Sequence, residues 1–296
     1  MPTLGGSTPT PGGSTGGPTV RRILVGAQLR RLRESRGLTR EAAGYRIRAS
    51  ESKISRLELG RVSFKDRDIS DLLELYGVED ETQREALVAL AREANNLGWW
   101  HSYDDVLPNW FQTYVGLEEA ASLIRSYEIQ FLPGLLQTEE YARAVVTAGA
   151  PKATVDEVER RVHLRIKRQE ILHRPSPPAF WAVVDEAALH RPIGGSKVMK
   201  QQVENLLELM KLPNVTLQVM PFRFGGHAGE GGAFTMLRFP EPELPDVVYI
   251  EQLVSAYYLD KREYVERYAR TMDRLTVDSQ PPDVTRDTLK RILSQV

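Results

Sequence analysis

Glu51, Ser52, Lys53 and Arg56 put donors and acceptors of both signs into one short segment. An arginine fork donates to the O6/N7 edge of guanine, a glutamate accepts from cytosine N4, and a serine hydroxyl does either. Arg40, Lys53 and Arg61 add cations suited to phosphate oxygens, and Lys53 fits a base edge equally well. The partner this chemistry addresses is double-stranded DNA. The plainer alternative is a helical pair used only as a protein interface.

These side chains can act together only if a short helix presents them on its outer face. Thr39 and Ser50 can each accept from a free amide in a first helical turn. They place helices from 40 to about 47 and from 51 to about 59, with only Arg48 and Ala49 between. Gly60 stops the second, because glycine enters the left-handed region without a steric penalty. Helices so close cross steeply and need small residues at the contact, which Ala43 and Gly44 supply. Ile54 and Leu57 share an inward face. Glu51, Ser52, Lys53 and Arg56 are left outward, as on a helix that enters a major groove.

Other chemistries have less to work with. There is no cysteine, which excludes disulfides and thiolate zinc sites. His101, His163, His173, His190 and His227 form no close pair. His227 and Glu230 in a Gly-rich loop, and Glu186 with His190 on a helix, are too few for a metal site. That loop, 225–232, lacks the Lys-Ser/Thr end of a P-loop and leads into a strand, so it reads as a mobile hairpin loop. Asp185 and Glu186 follow an apolar strand and are explained by a helix cap. The expectation is a chain that is not an enzyme, with no catalytic residue, no cofactor and no metal.

Charge is divided unevenly. The net formal charge is -1, but residues 20–78 hold 14 basic and 8 acidic side chains, against 25 and 32 in residues 79–296. A small basic head on a larger acidic body is the charge footprint of a DNA-binding domain tied to a domain of another kind. No apolar run reaches the ~20 residues of a membrane helix. The N-terminus does not read as a signal peptide, and the expected location is cytoplasmic.

Four segments follow from composition and periodicity. Residues 1–19 are Gly, Pro, Ser and Thr apart from Met1 and Leu4 and read as a disordered tail. Residues 20–78 read as four helices. Residues 79–114 read as a fifth helix and an aromatic connector, which either docks the head on the body or lines a ligand wall. Residues 115–296 read as the body. There, helices are expected at 117–125, 138–148, 155–172, 197–210, 261–275 and 285–293. Strands are expected at 127–131, 179–184, 215–220, 233–239, 247–252 and 257–259. The basic face of 155–172 is either a second nucleic-acid surface or a solvated face paired with acids. The fold class is an all-α helix-turn-helix N-terminal domain followed by a larger α+β C-terminal domain.

The segments Leu29-Arg30-Arg31-Leu32-Arg33, Gly37-Leu38-Thr39 and Lys53-Ile54-Ser55-Arg56-Leu57-Glu58-Leu59-Gly60 resemble the lambda-repressor-like, or XRE-type, helix-turn-helix family. Arg40 stands where that family usually has Gln, and Arg48 where it has Gly in the turn. Gly98 to Tyr103, Tyr114 to Glu118, Pro133 to Thr138, Asp185 to Leu189 and Pro221-Phe222 are similar to a domain of unknown function in actinobacterial, antitoxin-like regulators. The resemblance implies a transcriptional regulator and a small partner protein encoded by a neighbouring gene. A homodimer would read a near-palindromic operator through the helix at 51–59. The alternatives are an antitoxin-like interaction protein, whose main role is to bind that partner, and a small-molecule sensor acting through the C-terminal domain.

Overall fold

The computed structural model describes residues 18–242 and 244–295. Most of the expected N-terminal tail, 1–17, lies outside them. The chain divides into two compact units, Met1–Asn96 and Leu97–Val296.

The head is helical: α1 Pro18–Ser35, α2 Arg40–Arg46, α3 Glu51–Glu58, α4 Asp66–Leu75 and α5 Glu81–Ala94. Helix α1 starts at Pro18, so the last two residues of the expected tail are helical. Proline suits a helix start, where its missing N–H has no intrahelical partner in any case. Val25, Leu29, Ala43, Ile54, Leu57, Ile69, Leu72 and Leu73 are buried together with Ala91 and Ala94 of α5. Where the sequence sets α5 apart as part of a connector, the structure packs it into the head. Arg22 donates to the Ala94 carbonyl, and the Asn95 amide closes on both backbone groups of Phe64.

The body is α+β. Its elements are α6 Asn109–Ala120, β1 Leu123–Glu128, α7 Glu139–Gly149, α8 Val155–Arg168, β2 Ala179–Asp185, α9 Glu186–His190, α10 Ser196–Leu209, β3 Val215–Met220, β4 Phe234–Arg238, β5 Val247–Glu251, β6 Ala256–Leu259, α11 Arg262–Asp278 and α12 Pro282–Leu293. The sheet order is β3-β2-β1-β4-β5-β6. Strands β1, β2 and β3 are parallel, and β4, β5 and β6 continue antiparallel. Interior strand β2 carries the apolar run Ala182-Val183-Val184, buried on both faces.

Four expectations are corrected here. The helix expected at 117–125 begins at Asn109, and the strand expected at 127–131 occupies Leu123–Glu128. Tyr114, Val115 and Leu117 are buried, so the aromatic stretch belongs to the body core. It packs on α8, with Tyr103 Oη 2.6 Å from His163 Nδ1 and Lys167 Nζ over the Trp99 ring. The Gly-rich loop is no hairpin loop, because it joins β3 to β4, which β2 and β1 separate. It folds back on the sheet, where a side chain at Gly229 would meet the Tyr127 ring at 2.5 Å.

Candidate nucleic-acid interface

The helical pair expected at 38–60 forms with both caps in place. Thr39 Oγ1 accepts from the Ala42 amide at 3.1 Å, and Ser50 Oγ from the Lys53 amide at 3.2 Å. The turn is tight: a side chain at Gly44 would come within 2.6 Å of the Ala49 carbonyl oxygen. Arg48 takes the left-handed conformation there, with φ +53, the one non-glycine residue with positive φ among the described residues. Glycine is the usual occupant of such a position, and a residue that carries a Cβ is strained in it by roughly 1 kcal/mol. Gly60 ends α3 at φ +65. Helix α3 also lies close to α1, since a side chain at Gly26 would meet the Leu57 carbonyl oxygen at 2.5 Å.

Ile54 and Leu57 face the core, each 1 % exposed. Glu51, Ser52 and Arg56 are exposed on the opposite face, and Arg61 is exposed just beyond. Glu51 in the first turn and Arg56 in the last both complement the helix dipole. Arg56 Nε leans toward the Ser52 carbonyl at 3.4 Å, so its guanidinium stands over the outer face of α3. These four residues are the ones the fold leaves turned outward.

Arg40 and Lys53 are placed differently. Arg40 Nε donates to Glu58 Oε2 at 3.1 Å. Lys53 Nζ donates to Asp68 Oδ2 of α4 at 2.7 Å. Both are half-buried and tie elements of the head together.

Glu58 is the positioning residue that the sequence reading missed. Its carboxylate is held by the Arg33 guanidinium of α1, Nη2 to Oε2 at 3.0 Å with Nε on Oε1, and both side chains are buried. Arg33 Nη1 also donates to the Leu38 carbonyl at 2.7 Å. The hydrogen bonds that Arg33 donates to Glu58 raise the already high pKa of the guanidinium. One buried carboxylate thus joins α1, the start of α2 and the end of α3. The available signal was an acid set between Leu57 and Leu59 at the end of an amphipathic helix.

No helix among the described residues is long and apolar enough to cross a membrane, and no group of three potential metal ligands occurs among them. A helix-turn-helix domain model matches residues 24–87. A model described as a domain of unknown function (DUF5753) matches residues 111–291. No curated protein and no solved structure matches the chain. The head is a helix-turn-helix domain, and with more than half of its residues in the second match the chain belongs to the DUF5753 family.

Proposed function

We propose that the chain is a sequence-specific DNA-binding transcriptional regulator that reads base edges with α3. The observation that supports this most directly is the outer face of α3. Glu51, Ser52 and Arg56 are exposed on it, on a helix locked through Glu58 to α1 and α2. Arg56 is the guanine reader, Glu51 and Ser52 contact neighbouring bases, and Arg61 lies on phosphate. Arg40 and Lys53 reach phosphate only by sharing or leaving Glu58 and Asp68.

In this reading the head is of the XRE type and the source actinobacterial. The chain acts in the cytoplasm as a homodimer on inverted half-sites about one helical turn apart, and the body takes a small partner protein from a neighbouring gene. The resemblance of the head and body sequences supports these finer points. Enrichment of bound duplexes from random-sequence DNA tests the proposal: a recurring motif of inverted half-sites is expected, and recovery of unselected sequence refutes it.

A further inference from the structure

Arg40 and Lys53 are both tied to acids of the head, but not on the same terms. Arg40 of α2 shares Glu58 with Arg33, which grips both carboxylate oxygens. When Arg40 swings away, Glu58 keeps a cation. Lys53 is the sole ion-pair partner of Asp68 among the described residues, with Nζ 2.7 Å from Oδ2. The Asp68 side chain is only 14 % exposed. When Lys53 leaves, a mostly buried carboxylate loses its countercharge, and that cost weighs against any contact Lys53 makes elsewhere.

The surroundings offer Asp68 no substitute. Asp66, in the same turn of α4, is closed on Arg92 of α5 at 2.7 Å. Arg67 lies toward Asp71, and Arg46 of α2 pairs with Asp71 and Glu74. Asp68 also sits in the first turn of α4, where the helix dipole favours a negative charge. The acid is anchored by its helix and its burial, so it is Lys53 that is held.

The place of Lys53 on α3 makes this matter for DNA. Three residues before Arg56, it stands about 60° round the helix from it. That is the flank between the outward Arg56 and the inward Leu57. A lysine on such a flank suits the phosphates that border a groove entered by the outer face.

We propose that Asp68 limits the affinity of the head for DNA by withholding Lys53 from the phosphate backbone, while Arg40 stays available. The inference rests on the reading of α3 as the DNA-contacting helix. A lysine–phosphate contact acts by releasing counterions and is indifferent to sequence. Withholding it lowers affinity for every duplex alike and leaves base recognition to Glu51, Ser52 and Arg56.

Binding of the full chain to a mixed-sequence duplex, followed by fluorescence anisotropy across a salt series, tests this. Asp68→Asn keeps the shape of the side chain and gives up its charge. With its fold checked by circular dichroism, it is expected to bind roughly three- to tenfold more tightly at about 0.1 M salt, with a salt slope steeper by about one. Asp68→Asn combined with Lys53→Met is expected to lose both gains. Asp66→Asn makes the same charge change in the same turn but frees Arg92 instead, and is expected to stay near the parent. The inference fails if Asp68→Asn keeps the parent's affinity and slope, if the double variant keeps the gain, or if Asp66→Asn gains as much. A parent that binds no duplex at any salt concentration overturns the DNA reading as well. A parent that binds, with Asp68→Asn unaltered, overturns this inference alone.

Discussion

The Arg33 guanidinium of α1 grips both carboxylate oxygens of Glu58 on α3, and Arg40 of α2 shares one of them. The relationship fixes where the outer face of α3 points. Removing one partner strands the other as a buried charge, which typically costs about 3 to 5 kcal/mol. Glu58→Ala is therefore expected to destabilise the head by about that much in urea denaturation. The double change Arg33→Met with Glu58→Leu is expected to recover most of the loss. Equal losses in the single and double variants would show that the pair is not what holds the helices.

Arg48 holds a left-handed turn that glycine would adopt without strain. Arg48→Gly is expected to stabilise the head by roughly 0.5 to 1 kcal/mol, net of the extra freedom glycine gains in the unfolded chain. A lower denaturation midpoint in the variant would mean that the Arg48 side chain contributes more than its backbone costs.

The head's boundary is testable by truncation. Ala91 and Ala94 are 1 % and 0 % exposed, against the same core as Leu29 and Ile54. A fragment of residues 1–96 is expected to unfold cooperatively, while 1–78 loses α5 and is expected to melt without a clear transition. If the body dimerises the chain, 1–96 is also expected to bind DNA more weakly than the full chain. A cooperative, equally stable 1–78 would contradict the placement of α5.

Glu128 gives the body a pH dependence of definite sign. Its carboxyl is raised from the ordinary 4.5 to about 8 by burial and by Glu251. A raised acid is at full benefit below about 4.5, and its contribution is lost as pH rises through about 8. The melting temperature of the body is expected to fall between pH 5 and 9, and Glu128→Gln is expected to flatten that fall. Parallel curves for parent and variant would remove Glu128 as the cause.

Local signals made the helical pair readable. Thr39, Ser50 and Gly60 act through their own backbone neighbours, and the structure shows the caps and the stop at those residues. Strand β2 was equally plain, as a short apolar run after a proline-rich turn. Other features depend on partners distant in sequence. Glu58 lies 25 residues from Arg33, and Lys53 lies 15 from Asp68, so neither pairing has a periodicity to betray it. The start of α6 was hidden because its aromatic residues, Phe111 and Tyr114, carry little helical signature of their own. The path of the Gly-rich loop depends on the sheet order, which strand spacing alone does not specify.

The reading of α3 as the base-contacting helix is tested most directly by selecting duplexes from random DNA with the parent chain and with Arg56→Ala. The parent is expected to enrich a motif in which one position is strongly guanine. Arg56→Ala is expected to relax that position and weaken binding by roughly 1 to 3 kcal/mol, leaving the rest of the motif in place. An unchanged motif bound with unchanged affinity would contradict it.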